Sequence, residues 1–186
     1  FRAITPVFDG ASESGIEAEL ARAWLVDRSW HIMGRRAWKW VNEQEYDSEM
    51  LLDDREVTTL YLDALAGGRK FESGAHANNL VYARREATNM WLKEQGHAPE
   101  DIMGLEENNL NANERLEADR SAIRLCLQTW LKDQGESGKD SDDETLMSKA
   151  VEVMNKTQEP VPTLGKMIVR DGRTGEPYEQ PVTVGV

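Results

Sequence analysis

The chain has 186 residues, 39% of them hydrophobic, which suffices for one compact unit or two small ones. Asp and Glu outnumber Lys and Arg by 34 to 22, so the formal net charge is −12. A surface of that sign repels phosphate backbones and anionic lipid heads, which disfavours direct binding of DNA, RNA or a membrane. The sequence shows neither a long apolar span nor a secretion signal, and we therefore expect a soluble, cytoplasmic protein.

The residues that usually carry chemistry are few and scattered. The one cysteine, Cys126, excludes an internal disulfide and lies in an apolar helical run, so we predict an inert core thiol. His31, His76 and His97 are too far apart for a zinc-binding pair, and neither a phosphate-binding loop nor a serine nucleophile motif occurs. The acidic run 140–144 lacks the glycine and distal glutamate of a calcium loop. We therefore predict no catalytic, cofactor-binding or metal-ligating residue in this chain.

The first predicted helix starts near Ser12 and continues to about residue 43, either as one long helix or as two joined near Gly34. One face of a 3.6-residue wheel collects its predicted core positions, which are Ile16, Leu20, Ala23, Trp38 and Val41. Leu25, Ile32 and Trp40 point away from that face, so the segment must be covered twice, or covered once and left open to a partner, and Trp38 and Trp40 point to different sides of the helix. The candidate interface residues are accordingly Trp38, Trp40, Leu25 and Ile32.

Four more helices follow, at about 48–66, 75–95, 113–134 and 142–156. Glycines just beyond the last periodic residues, at 67–68, 96 and 135, predict left-handed caps. The predicted core residues of these four helices are Leu52, Val57, Leu60, Tyr61, Leu65, Leu80, Tyr82, Ala83, Ala87, Met90, Trp91, Leu116, Ile123, Leu127, Trp130, Leu131, Leu146, Ala150, Val153 and Met154. The small, charged segment 136–143 reads as a mobile linker with nothing to bury.

A short internal similarity links two of these helices. Residues 91–96 (WLKEQG) recur almost unchanged as 130–135 (WLKDQG), and Trp24 begins a weaker third copy. A period near 40 falls within the range of helical repeats. Either a helical unit is duplicated, or two helix ends use the same cap. For Trp24, Trp91 and Trp130 we predict core packing, because a buried indole contributes a large apolar area.

Both ends of the chain are β-prone. Residues 4–8, interrupted by Pro6, suit an edge strand, and 166–170 and 182–186 flank a turn-rich segment at 171–176. The predicted fold is therefore mainly α, with a helical insertion of four or five helices flanked by a small β element that the two chain ends form. Cross-strand contacts between residues 4–8 and 166–186 would support that pairing.

Two blocks at these ends, ITPVFDGA at 4–11 and DGRTGEPY at 171–178 running into PVTVG at 181–185, resemble the C-terminal part of the bacterial RNA polymerase β subunit. Residues 11–20 are similar to a short acidic helix of that family, and 162–166 resemble the entry to its next strand. On this resemblance, 1–20 and 161–186 are host segments. Residues 21–160 are a lineage-specific insertion of net charge −9, with a candidate internal split near 97–112.

The resemblance implies a role in transcription. The parent enzyme, a nucleotidyltransferase, carries out DNA-directed RNA synthesis with magnesium held by the β-prime subunit, and none of the β motifs near the substrate lies in this window. Implied partners are the rest of the polymerase (β, β-prime and α subunits), while DNA and RNA are bound by the parent and not by the acidic insertion. We expect a non-catalytic surface module that modulates assembly or docks an unknown protein factor.

The chain opens without an initiator Met and stops inside a β-rich run, and we interpret it as a piece of a longer polypeptide. Two alternatives stay open. One is a stand-alone acidic helical interaction module, for example a dimer through residues 24–41, with accidental similarity at its ends. The other is a small enzyme with a site inside a helical bundle, which would need convergent carboxylates.

Overall fold

The structure, a computed structural model, describes residues 13–44, 53–65, 80–104, 110–164, 166–167, 170–176 and 182–183. Helices dominate these residues, which confirms the predicted mainly α class. The helices are α1 (Glu13–Glu43), α2 (Asp54–Leu65), α3 (Leu80–Glu94), α4 (Pro99–Met103), α5 (Ala112–Asp133), α6 (Asp143–Thr157) and a 3-10 turn (Pro162–Leu164). The chain divides into two compact units, Ala23–Glu100 and Phe1–Arg22 with Asp101–Val186. The boundaries between host segments and insertion stay a prediction.

Helix α1 is one continuous helix that runs through Gly34. Its buried residues are Ala18, Ala21, Leu25, Ser29, Met33, Ala37 and Val41. Most steps in this series are four residues, whereas one turn takes 3.6, so the buried line moves about 140° around the helix between its two ends. The predicted core face was therefore wrong for most of its length: Ile16, Ala23 and Trp38 are exposed, and Val41 alone of that set is buried.

In the unit Ala23–Glu100, α1 and α3 run in parallel. Their polar contacts advance together along both helices, from Asp27 with Arg84 to Arg36 with Glu94. Between them, the buried hydroxyls of Ser29 and Thr88 are 2.8 Å apart and share a hydrogen bond. Each hydroxyl also lies 2.9 Å from a carbonyl of its own helix, that of Val26 or Arg84, so one hydroxyl can donate to its backbone while the other donates across, and neither is buried without a partner.

The C-terminal end of α1 packs on α2 through an apolar cluster of Ala37, Val41 and Val57. Leu62 and Thr58 complete the buried face of α2, and Thr58 satisfies its hydroxyl on the backbone of its own helix. Leu65, predicted as core, is exposed at the last position of the helix. The periodic pattern of apolar residues in a sequence does not show at which residue the neighbouring helix stops covering the predicted face.

In the other unit, α5 packs against α6 and against the 3-10 turn. The buried residues of α5 lie mainly in its C-terminal half, and Cys126 is among them. Burial raises the pKa of the Cys126 thiol, which agrees with an inert core cysteine. Leu116, predicted as core, is exposed because the first two turns of α5 bury only Ala118 among their side chains.

The two copies of the WLK(E/D)QG sequence end their helices with the same cap. Gly96 and Gly135 adopt positive φ angles of 84° and 81°. The N–H of the residue after each glycine donates to the carbonyl of the copy's leucine, Leu92 or Leu131, at 2.9 and 2.8 Å. This is a Schellman cap, which satisfies carbonyls that a helix end leaves free. The predicted glycine caps at both positions are confirmed.

Trp91 and Trp130, which begin these copies, are both buried, as predicted for core indoles. Trp24, in the weaker third copy, is half-buried and lies inside α1, where no helix ends. The shared cap geometry accounts for the two closely matching copies, and the duplication of a larger unit stays a hypothesis.

The loop between α5 and α6 is packed, contrary to the expectation of a linker with nothing to bury. Gly138 is buried, and a Cβ placed on it would lie 2.6 Å from Cδ1 of Leu146 and 3.0 Å from Cδ1 of Leu131. Lys149 donates to the carbonyl of Ser137, and Arg124 to that of Ser141. The loop is therefore fixed to both helices, because its glycine fits where no side chain can.

Polar side chains begin two helices by reciprocal capping. Asn111 accepts from the N–H of Glu114, whose carboxylate accepts from the N–H of Asn111, both at 3.0 Å. Asp53 and Glu56 do the same at the start of α2. At α6, Asp142 accepts from the N–H of Thr145, and hydrogen bonding by the Thr145 side chain, followed by that of its backbone N–H, lowers the pKa of the Asp142 carboxyl.

The C-terminal segment contains a short antiparallel ladder between β1 (Lys166–Met167) and β2 (Val182–Thr183). Between the strands, Asp171 accepts from the N–H groups of Arg173 and Thr174, and its own N–H donates to the carbonyl of Glu176 at 2.8 Å. The turn predicted at 171–176 is confirmed. The predicted edge strand 4–8 lies outside the described residues, so the β element formed by both chain ends is not shown and stays a prediction.

Candidate interaction surface

The structure places the four predicted interface residues in different environments. Leu25 is completely buried within the chain, so a partner cannot reach it in this fold. Trp40 and Ile32 are half-buried, and Trp38 retains 37% of its accessible surface. Helix α1 thus carries partly exposed apolar side chains outside its buried line, which fits the expectation of more than one apolar face. Leu25, however, belongs to the buried line itself.

Both tryptophans contact α2, one through a hydrogen bond and one through its ring. The indole N–H of Trp38 donates to the Asp54 carboxylate at 2.7 Å. Trp40 lies against Tyr61, with ring centroids 5.8 Å apart and planes inclined by 50°. Trp40 is thus mainly a packing residue of the α1–α2 pair. Since the N–H of Trp38 already has its acceptor, the exposed part of Trp38 offers ring surface.

Next to Trp38, three cationic or titratable side chains lie on the exposed side of α1: His31, Arg35 and Lys39. They recur every fourth residue, and at 1.5 Å rise per residue they form a line about 12 Å long. At 100° per residue, these three and Trp38 fall within an arc of about 100°, opposite the buried line. We call Trp38, His31, Arg35 and Lys39 the cationic face.

Acidic residues border this face, and one of them, Asp54 of α2, accepts the indole N–H of Trp38. Residues 28–42 contain four basic residues and neither Asp nor Glu, in a chain of net charge −12. On one side Asp27 is engaged by Arg84 at 3.0 Å, and on the other Glu43 lies 3.9 Å from Lys39, whose side chain is 80% exposed. Within the described part of the chain, His31 and Arg35 make no ion pair or hydrogen bond.

The acid-free stretch 28–42 can be seen in the sequence, but the sequence prediction selected apolar interface positions and did not include His31, Arg35 or Lys39.

A second charged group is partly buried in the other unit. Arg22 donates to Asp119 at 2.7 Å and to the carbonyl of Ile102 at 3.0 Å, and the two charged side chains are only 12% and 14% exposed. This arrangement joins α1, α4 and α5 and is structural.

Groups suited to metal chemistry do not gather in the part of the chain that the structure describes, where no set of three His, Cys, Asp or Glu side chains could hold an ion. His31 and His97 are exposed, and His76 lies outside the described residues. None of the described helices combines the length and the apolar character that a membrane crossing needs.

Comparison with known proteins gives one consistent relationship. Over 185 residues, the whole length of this chain, it is 29% identical to the DNA-directed RNA polymerase subunit beta of Dehalococcoides mccartyi strain BAV1. The resemblance predicted from the two blocks is confirmed. The same protein of strain CBDB1 matches to the same extent. The chain spans 10% of the length of these polymerase β subunits.

The alignment with the polymerase subunits includes the helical middle as well as the two end blocks. The predicted insertion is therefore shared with these relatives and is not confined to this chain. No protein-family model matches the chain. No solved structure matches it either.

Proposed function

We propose that the chain is a segment of a cytoplasmic RNA polymerase β subunit whose helical middle, residues 21–160, is a non-catalytic surface module that docks a protein factor or modulates assembly. The observation that carries the proposal is the alignment over the whole chain with two proteins named as β subunits. DNA-directed RNA synthesis, with magnesium held by the β-prime subunit, is then the activity of the parent enzyme. The β, β-prime and α subunits are the partners.

The charge distribution supports a position outside the nucleic-acid channel. Residues 21–160 carry 27 acidic and 18 basic residues, and such a surface would repel a phosphate backbone over the Debye length of about 8 Å. DNA and RNA would accordingly be bound by the parent enzyme and not by this module. The half-exposed Trp38 and its cationic neighbours give the module a surface suited to a protein partner.

The test replaces residues 21–160 of the β subunit by a short Gly-Ser linker and reconstitutes the polymerase with its other subunits. Gel filtration measures assembly, and primer extension on a nucleic-acid scaffold measures nucleotide addition. We expect the assembled enzyme to extend RNA at close to the normal rate. A loss of about tenfold or more in a fully assembled enzyme would correspond to about 1.4 kcal/mol of transition-state stabilisation and would refute a non-catalytic module.

A second preparation covers the case in which the deletion prevents assembly. The full-length β subunit with Arg120→Glu and Lys139→Glu keeps the helical body and changes only exposed side chains outside the cationic face. We expect it to assemble and to extend RNA normally. Failure of the wild-type segment to co-purify with the other subunits would instead favour a stand-alone interaction module.

A further inference from the structure

We infer that the cationic face of α1, formed by His31, Arg35, Lys39 and Trp38, docks an acidic helical segment of a partner protein. This inference rests on the proposed docking function and specifies its surface and the chemistry of its ligand. Four observations support it: the local charge, the spacing of the cations, the exposed indole and the length of the face.

The charge of this face opposes that of the molecule that carries it. Residues 28–42 have a net charge of +4 with His neutral, whereas the whole chain has −12. Arg36, also in this stretch, is paired with Glu94 at 2.6 Å and is not part of the face. Arg35 makes no ion pair with the described residues, and Lys39, whose side chain is 80% exposed, meets Glu43 only at 3.9 Å, so these are the two charges that an incoming ligand can engage. An acidic segment would be attracted here and repelled elsewhere, which favours one orientation of docking.

The spacing fits a helical ligand. Side chains four residues apart on a helix are separated by about 6 Å along its axis, so His31, Arg35 and Lys39 present donors at that interval. A partner helix with Asp or Glu at every fourth position repeats acceptors at the same interval. Charge pairs at an exposed surface contribute only about 0.2 to 1 kcal/mol each, so the cations align the ligand and do not hold it alone.

Trp38 supplies the apolar contact that the cations lack. Trp38 as a whole keeps 37% of its surface exposed, while its indole N–H donates to Asp54 at 2.7 Å. The indole is therefore held in one orientation before binding, which lowers the entropic cost of burying it. Tryptophan and arginine are the side chains most enriched among residues that dominate protein–protein binding energies. Trp38 and Arg35 lie side by side on this face.

The small extent of the face favours a protein ligand over a nucleic acid. Duplex DNA carries one charge per about 1.7 Å of its axis, so a face about 12 Å long would meet few of the phosphates on a ligand that extends well beyond it. The remaining phosphates would be exposed to a chain of net charge −12. A peptide with about three carboxylates, at the four-residue spacing of His31, Arg35 and Lys39, avoids most of that repulsion.

The test measures the fluorescence anisotropy of a labelled 18-residue helical peptide with Glu at every fourth position, titrated with the whole chain at low salt. We expect saturable binding that weakens as salt rises, because salt screens exposed charges. Arg35→Glu with Lys39→Glu should weaken binding by about tenfold or more, since two attractions become repulsions. The matched control, Arg120→Glu with Lys139→Glu, changes the net charge equally at exposed positions in the other unit and should leave the affinity nearly unchanged.

Trp38→Phe and Trp38→Ala test the aromatic anchor. Phenylalanine keeps a ring and should retain most of the affinity, whereas alanine should lose about tenfold, and circular dichroism monitors the fold of both variants. Equal losses in the two charge-reversal pairs would overturn the inference. So would equal binding of a peptide with Lys in place of Glu, or binding of a 20-nucleotide single-stranded DNA to this face in preference to the acidic peptide. These measurements use the chain alone, so their failure would leave the polymerase assembly test unaffected.

Discussion

The packed loop between α5 and α6 makes a strong prediction at Gly138. In Gly138→Ala, the new methyl group would lie 2.6 Å from Leu146 and 3.0 Å from Leu131, and both leucines are fully buried. Forcing a methyl group into a filled core costs about 1 to 3 kcal/mol, because the surrounding side chains or the loop backbone must shift. For a chain of this size, each kcal/mol lowers the melting temperature by about 2 to 4 °C. We therefore expect a decrease of roughly 2 to 12 °C.

Thermal and urea unfolding followed by circular dichroism would measure this change. The matched control is Gly172→Ala, because a Cβ at Gly172 meets no atom within 4 Å, and we expect it to stay within about 0.5 kcal/mol of the parent protein. Combining Gly138→Ala with Leu146→Ala should cost less than the sum of the two changes, because the shortened side chain makes room for the methyl group. A Gly138→Ala protein as stable as the parent would refute the packing of this loop against the two leucines.

Three further changes test other contacts. Arg22→Ala should destabilise by about 2 to 4 kcal/mol in urea unfolding, since it leaves the 14%-exposed carboxylate of Asp119 without its cation, and an unchanged midpoint would contradict this ion pair. Gly34→Ala should stabilise by about 0.5 to 1 kcal/mol, because the added Cβ would meet its nearest neighbour, Thr58, at an ordinary 3.5 Å, and a lower melting temperature would refute this. The lowered pKa of Asp142 adds stability that is present above pH 4 and lost as pH falls below the ordinary value of 3.8. Asparagine caps a helix about as well as aspartate, so Asp142→Asn should match the stability of the parent at pH 7 and lose less of it between about pH 4 and pH 2. Parallel curves of unfolding free energy against pH for the two proteins would contradict this prediction.

Much of the local structure was predictable because its causes lie within a few residues of one another. The glycine after each WLK(E/D)Q sequence ends its helix, since glycine adopts a positive φ without steric cost. The turn at 171–176 follows from an Asp whose side chain accepts nearby N–H groups. The two end blocks were enough to indicate the polymerase relationship, because sequence similarity requires no knowledge of contacts.

The candidate surface was predicted only in part. The sequence led to α1 and to Trp38, but it also selected Leu25, which the packing buries completely. Assigning a face to α1 from a fixed wheel fails when the buried line moves around the helix, and that movement depends on which helices pack against each end. The exposure of Arg35 and Lys39 beside Trp38 follows from the same packing.

The sequence by itself determined three properties of the chain. Its acidic character follows from composition, its helices and helix ends follow from residues close together in the chain, and its likeness to a polymerase subunit follows from residue identity. Tertiary structure alone decided that Gly138 is a packing position, that the hydroxyls of Ser29 and Thr88 pair in a core, and that Arg22 joins three helices. Each of these brings together residues far apart in the chain, and whether a side chain is buried is a property of what folds over it.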